Sequence, residues 1–375
     1  MKKMLICQIL QESQSYPIEI HHGLLKNVSL IADTLKRLGN QYALISDDRV
    51  MSLYGEQFCE DLKIRGIFCK TFIFPNGEKN KNRFIKESIE NSMLENGLGK
   101  DTCLIALGGG VVTDLAGFLA STYCRGISLV LIPTTLLGMV DAAIGGKTGL
   151  NTPIGKNLIG TVYQPKAVWI DPIVIETLSK ADLQEGIVEM IKHGLILDKE
   201  YFEFLENNVS RIFSLNADTV FEAISKSCSI KMKIVEQDVN DRNKRHLLNF
   251  GHTLGHAIEI LSKHSVSHGK AVAIGICVES YLSYKMKFLS KDSFQKIINI
   301  FKYYEISLKI PCDFSFQDLL KAVKIDKKSI EGQPRFILLN EIGSTFCTDG
   351  SYSIPVEISE FENAFQWMKD DLCRD

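Results

Sequence analysis

The chain has 375 residues, of which 45% are hydrophobic and 23% charged, and its formal net charge is −2. That length favours two cores over one, and the composition is that of an ordinary soluble globular protein. The near-neutral charge excludes a broad electrostatic surface for nucleic acid or membrane, so an anionic ligand has to be met by a local cluster of cations.

Ten cysteines are scattered with no C-x-x-C pair, which points to reduced thiols and a cytoplasmic setting instead of a disulfide framework or zinc ribbon. The opening Met-Lys-Lys is followed by an apolar run that breaks at Gln8, too short for a secretory signal. No uncharged run reaches the roughly 18 residues of a membrane span.

In chain order, Tyr16 to Ile20 reads as a strand and Leu24 to Leu38 as a helix. Tyr42 to Ser46 is a strand ending at Asp47 and Asp48, and helical periodicity then runs to Leu62. Thr71 to Phe74 is a strand closed by Pro75-Asn76-Gly77-Glu78, and a polar helix covers Lys79 to Glu95. Cys103 to Leu107 is an apolar run without alternation, the mark of a strand buried on both faces of a parallel sheet. Gly108, Gly109 and Gly110 follow, then a helical pattern with Leu115, Phe118 and Leu119 on one face. Strand, glycine turn and helix in this order aim backbone N–H groups at a phosphate. The dinucleotide fingerprint is incomplete, because Thr113 occupies the place of its last glycine. Ser128 to Ile132 is a further buried strand ending at Pro133-Thr134-Thr135. The alternation predicts a mainly parallel sheet with helices on both faces. Ligands of such sheets lie beyond the carboxyl ends of the strands, where Asp47, Glu78, the three glycines and Thr134-Thr135 fall; Asp47 and Asp48 serve equally well as helix caps.

Residues 145–165 read as a dense loop in which glycines flank Lys147 and Lys156, flexible point charges suited to phosphate. It is not a P-loop, since the required glycine is replaced by Asp141. After Asp171-Pro172 the apolar spacing becomes helical, with helices from Gln184, Thr219, His252, Lys270 and Ser293 and one strand at Phe336 to Leu339. The division expected is 1–180 and 181–375.

His252 and His256 lie one helical turn apart, His264 and His268 follow, and Glu185 and Glu189 lie one turn apart on the helix at Gln184, ahead of Lys192 and His193. Borderline cations such as zinc take imidazole with carboxylate, three protein ligands leaving one position open. The residue types propose His252 and His256 with either Glu189 or His268 and do not rank these combinations.

Together these motifs resemble the 3-dehydroquinate synthase family of sugar-phosphate cyclases. The resemblance rests on Gly108-Gly109-Gly110 with Asp114 and Gly117, Pro133-Thr134-Thr135-Leu136-Leu137, Val140-Asp141, Gly145-Gly146-Lys147-Thr148-Gly149, and Gly155-Lys156-Asn157-Leu158-Ile159-Gly160. It continues through Glu189 with Lys192, Leu248-Asn249-Phe250-Gly251-His252 with His256, and His268-Gly269. It implies an α/β N-terminal Rossmann-like nucleotide-binding domain, a mainly α-helical C-terminal metal-binding domain, NAD+, Zn2+ or Co2+, and a homodimer. The implied metal ligands are Glu189, His252 and His268, which moves His256 to the substrate side. Implied NAD contacts are Asp47 or Asp48, Glu78, Lys81, Gly109, Gly110, Val111, Asp114, Thr134, Thr135, Asp141, Lys147, Lys156 and Thr177. Implied substrate contacts are Lys147, Asn157, Lys192, Lys231, Arg245, Asn249, His256 and one of Lys327 or Lys328, with Arg125 reaching the neighbouring subunit's site. The implied reaction converts 3-deoxy-D-arabino-heptulosonate 7-phosphate to 3-dehydroquinate and phosphate, a carbon–oxygen lyase step of the shikimate pathway. Thr113 for Gly, Ala142-Ala143 for a serine pair, His193 for Tyr and Lys270 for Glu depart from the family pattern. They keep open a related cyclase making another cyclitol or an amino-quinate. A metal-dependent alcohol or glycerol dehydrogenase of similar fold is the further alternative.

Overall fold

The computed structural model describes residues 15–263, 265–310, 313–325 and 333–373. His264, Lys327, Lys328 and the opening Met-Lys-Lys stretch lie outside them. Eight strands occupy the first half: β1 (Ile18–Ile20), β2 (Gln41–Asp47), β3 (Cys69–Phe74), β4 (Thr102–Gly108), β5 (Ser128–Pro133), β6 (Lys147–Thr152), β7 (Gly155–Val162) and β8 (Ala167–Ile170). Six form one parallel sheet in the order β1-β8-β5-β4-β2-β3. Every residue of β4 is buried, as helices on both faces require, whereas edge strand β3 exposes half of its six residues. From β2 the chain steps outward to β3 and then returns to the other side of β2 as β4, so the strand order reverses between β2 and β4. A crevice at such a reversal is where parallel α/β sheets bind ligands.

The segment 145–165 is not the open loop its glycines suggest. β6 and β7 form an antiparallel hairpin in which Gly149 lies opposite Gly160. A Cβ on Gly160 would come within 1.9 Å of the Thr148 carbonyl oxygen, and one on Gly117 within 2.4 Å of the Thr148 side chain. These glycines therefore let the hairpin strands, and the helix Gly110–Thr122 beneath them, approach one another.

The second half is built on helices, including Lys180–Leu197, Ala217–Gln237, His252–Leu261 and His268–Lys285. Its strands exceed the single one expected: Arg335–Ile337 pairs with Ser353–Pro355, and Leu339–Glu341 with Ser344–Thr345. Ser179 caps Lys180–Leu197 by accepting from the Asp182 N–H at 3.1 Å. Its middle turns bury Glu189, Lys192 and His193 among apolar neighbours. The two histidine-bearing helices are pressed together by small residues. Gly251, at φ 78°, opens the first, and a Cβ on Gly275 of the second would lie 2.0 Å from the Gly251 carbonyl oxygen.

Gly275→Ala therefore has to force these helices apart. The expected cost is about 1–3 kcal/mol, read as a lower midpoint in denaturant unfolding, and an unchanged midpoint would show that this contact is not tight.

Candidate active site

The first turn of Gly110–Thr122 meets the crevice. Gly109 occupies the N-cap and brings no side-chain cap, so the positive helix end is left to an external anion. Gly109, Gly110 and Val111 are partly exposed, whereas the residues that follow along the helix are mostly buried. A Cβ on Gly109 would press to 2.9 Å from the Thr135 methyl. Beside it the buried Thr134 hydroxyl has no hydrogen-bond partner, and Thr135 accepts from the Gly138 N–H at 3.0 Å. Asp114 is paired with Lys81; burial pushes its carboxyl up and the Lys81 charge opposes that. Glu78 accepts from the Asn151 amide at 2.7 Å, fastening the hairpin to the end of β3. Asp47 caps the helix that follows β2, accepting from Val50 N–H at 2.9 Å, and Asp48 accepts from Asn76 N–H at 2.9 Å. Thr177 meets the Tyr54 hydroxyl at 2.6 Å. Thr113 turns its hydroxyl back to the Gly110 carbonyl at 3.2 Å, inside its own helix.

Across from this turn an acid and three imidazoles converge. Glu189 is fully buried. Its Oε2 is held by Lys192, while its Oε1 is buried with no hydrogen-bond partner. Oε1 lies 3.5 Å from His252 Nε2 and 3.9 Å from His268 Nε2. The far nitrogens have acceptors: His252 Nδ1 meets the Phe250 carbonyl at 3.2 Å and His268 Nδ1 meets Glu259 Oε2 at 3.1 Å. With a proton on Nδ1 for these acceptors, each ring has an Nε2 lone pair to offer a cation beside Oε1. A bare carboxylate oxygen and two lone-pair nitrogens facing one another fit a divalent ion. His256 lies close by, its ring centroid 5.5 Å from that of His252 and 6.1 Å from that of His268. Two overlapping groups, His256 with Glu259 and His268, and Asp141 with Glu189 and His193, are also compact. Both are poorer: Glu259 already accepts from Lys156, and Lys231 already donates to Asp141. Glu185 has a different task. Its carboxylate accepts from Ser267 hydroxyl at 2.6 Å and Gly269 N–H at 2.7 Å, capping His268–Lys285 from outside.

Cations surround the cluster. Lys231 donates to the Asp141 carboxylate and carbonyl, and Lys147 is paired with Asp241. Burial pushes the Lys231 ammonium down, Asp141 working against it. Arg245 is buried and donates to the Gly145 carbonyl at 2.9 Å and the Val239 carbonyl at 3.0 Å, while its Nε has no partner. Gly145, at φ 97°, makes room: a Cβ there would come within 2.4 Å of the guanidinium. His193 Nδ1 meets Ser227 Oγ at 2.8 Å; burial, then Lys192, pushes its pKa well below the ordinary value, so it is neutral. Asn249 is half-buried, and Asn157 is exposed on the hairpin at φ 54°. Lys270 lies two residues past His268, on the opposite helix face. Burial pushes the Lys270 ammonium down, and its titratable neighbour is Cys373, near the carboxyl terminus. Arg125 is exposed in the turn before the amino end of β5, away from the crevice.

Sequence reasoning missed Glu259 and Asp238. Glu259 is an isolated acid seven residues beyond His252 in an apolar stretch, and that isolation was its available signal. Burial raises its carboxyl, but His268 and Lys156 outweigh this and hold it down to about 2. Asp238 gathers the N–H groups of Arg242, Asn243 and Arg245 at 2.9, 2.7 and 3.1 Å, shaping the loop that presents Arg245. Burial would raise its carboxyl, yet these three bonds bring it to about 2. A carboxyl depressed on folding stabilises fully above its unfolded value, 3.8 here, and loses that contribution as pH falls toward about 2. Asp238→Ala is expected to flatten the loss of stability across this acid window. At neutral pH it should lower kcat/KM through a displaced Arg245. Matching acid unfolding curves for variant and parent would refute the loop's dependence on Asp238.

Comparison with known proteins follows this geometry. Residues 71–185 match the family model described as 3-dehydroquinate synthase N-terminal, and residues 186–329 the one described as 3-dehydroquinate synthase C-terminal. The 3-dehydroquinate synthase of Thermodesulfovibrio yellowstonii is 42% identical over 333 residues, covering 88% of this chain and 92% of the relative. Among solved structures, the 2-epi-5-epi-valiolone synthase ValA from Streptomyces hygroscopicus, with NAD+ and Zn2+ bound, superposes with a TM-score of 0.88 at 27% identity, covering 98% and 99% of the two chains. A 2-deoxy-scyllo-inosose synthase complexed with carbaglucose-6-phosphate, NAD+ and Co2+ shares the fold, with a TM-score of 0.83 at 22% identity over 95% and 96%. With both halves matched in sequence and the acid and imidazoles converging below the glycine turn, this chain belongs to the 3-dehydroquinate synthase family.

Proposed function

We propose that this chain catalyses the reaction of its family, converting 3-deoxy-D-arabino-heptulosonate 7-phosphate to 3-dehydroquinate and phosphate as a cytoplasmic homodimer. The observation that carries the reading is the bare Glu189 Oε1 set between His252 Nε2 and His268 Nε2. These three residues hold Zn2+ or Co2+. The first turn at Gly109, Gly110 and Val111, with Thr134, Thr135, Asp114 and Lys81, holds the diphosphate side of NAD+. Asp47, Glu78, Asp141, Lys156 and Thr177 border the rest of that ligand. When bound, the dinucleotide supplies a hydride acceptor and the ion acidifies a ring hydroxyl.

The chain's own residues do the remainder. Lys147, Lys192, Lys231 and Arg245 meet the carboxylate and phosphate of the substrate, with Asn157 and Asn249 orienting its hydroxyls. Lys192, already bonded to Glu189, fixes the substrate relative to the ion. His256, beside both imidazole ligands, carries protons at a substrate oxygen. The dinucleotide and metal halves divide at about residue 180, where β–α alternation gives way to helices. Thr113 and Lys270 do not favour a different cyclase: one is engaged within its own helix and the other has its titratable neighbour near the carboxyl terminus.

The direct test is phosphate release from the heptulosonate phosphate with added NAD+, with and without a chelator. Phosphate should appear with dehydroquinate, without net NADH, and only while metal is present. His268→Ala should lose bound metal and turnover yet remain folded. Steady NADH accumulation, or full turnover of metal-free His268→Ala, would refute the proposal.

Arg125 follows a helix of 13 residues that starts at the crevice, so about 20 Å of helix separates it from Gly110. It serves the partner's site, not its own. Mixing inactive Arg125→Ala with inactive His268→Ala should restore activity, since a mixed dimer then has one complete site. No recovery on subunit exchange would refute the assignment of Arg125 to the partner's site.

A further inference from the structure

Glu259 stands where the hairpin meets the metal cluster, and the two oxygens of its carboxylate are committed to different halves of the molecule. Oε1 accepts from Lys156 Nζ of β7 at 2.6 Å, and Oε2 meets His268 Nδ1 at 3.1 Å. Only 4% of the carboxylate side chain is exposed, against 35% of Lys156. We infer that Glu259 is a positioning residue for the ligand His268, and that Lys156 of the hairpin holds Glu259 in that position.

Resting on the metal reading above, the inference follows from the bonding capacity of the imidazole. With Nδ1–H given to Glu259, Nε2 is left as a lone pair, and it faces Glu189 Oε1 at 3.9 Å. His252 obtains the same tautomer from a neutral carbonyl, that of Phe250. His268 is held at Nδ1 by a charged group, and that group is tied to the hairpin. Glu259 is not itself a ligand: both its oxygens already accept hydrogen bonds, whereas Glu189 keeps one with no donor. Helical spacing brings this about, because Glu259 follows His256 by three residues and His252 by seven and so shares their face. The hairpin is thereby joined to the ion site through one buried carboxylate, and a shift of β7 is felt at His268.

The test is the affinity of the full-length protein for Zn2+ and Co2+ by chelator competition, with the Co2+ visible spectrum reporting the ligand set. Glu259→Gln is expected to weaken metal binding about 10–100-fold, the range for an outer residue that orients a ligand, without changing the shape of the Co2+ spectrum. Lys156→Gln should weaken it less, since Glu259 remains. Unchanged affinity in Glu259→Gln would overturn the inference. So would metal loss as complete as in Glu189→Gln with an altered spectrum, which would make Glu259 a ligand. Should Glu259→Gln fail to fold, Glu259→Asp, which keeps the charge but shortens the reach, is read by the same criteria. A parent protein that binds neither ion would instead refute the metal reading of the site.

Discussion

Everything about the site depends on how one buried carboxylate divides its two oxygens. Taking Glu189 out of water costs several kcal/mol unless the charge is met, and Lys192, three residues on along the same helix, meets one oxygen only. The other oxygen faces two imidazole lone pairs at 3.5 and 3.9 Å. A divalent cation set among these three atoms meets all of them at once. The surrounding structure imposes the arrangement. Glu185 caps one histidine helix, Gly251 and Gly275 clamp it to the other, and Glu259 and the Phe250 carbonyl fix the tautomers. These outer contacts fix the directions of the three side chains before any ion arrives.

The same logic joins the two halves. Lys231 reaches Asp141 in the turn after β5, Lys147 of the hairpin reaches Asp241, Lys156 reaches Glu259, and Arg245 reaches the Gly145 carbonyl. Each strut runs from the sheet half to the helical half, and each includes a residue bordering the crevice. Positioning the cofactor side and positioning the metal side are therefore one mechanical problem. Gly145 shows how tight the solution is, because its missing side chain is the space the Arg245 guanidinium fills.

Much of this was readable from the chain, for definite reasons. Buried parallel strands announce themselves as unbroken apolar runs, so β2, β4 and β5 and the glycine turn after β4 were legible. β8, the short apolar run Ala167–Ile170 that closes on Asp171-Pro172, was not read. The β6/β7 hairpin was hidden by its glycines, which suit a phosphate loop and a close strand crossing equally well until the partner strand is seen. Glu185 and Glu189 share a helix face one turn apart, and nothing local tells which of them caps the neighbouring helix; only the approach of Ser267 and Gly269 shows it is Glu185. Lys270 departs from the family pattern two residues past His268, and two residues along a helix is a change of face. The family resemblance supplied the choice of Glu189, His252 and His268, which spacing alone left unranked.

The cations argue for the class of substrate. A chain of net charge −2 gathers Lys147, Lys192, Lys231 and Arg245 around one crevice. Two of them are there at visible expense: burial pushes both Lys231 and Arg245 below their ordinary pKa values, even with acids nearby. Arg245 also leaves its Nε without a partner in the protein. Oxidation of a neutral alcohol needs the ion and the dinucleotide but gives such groups nothing to do, and apolar residues would stabilise the same volume better. A substrate carrying both a carboxylate and a phosphate employs them all, one group at each end of a seven-carbon chain. The buried Arg245 guanidinium, with a donor to spare, is therefore better matched to an anionic substrate than to a neutral alcohol.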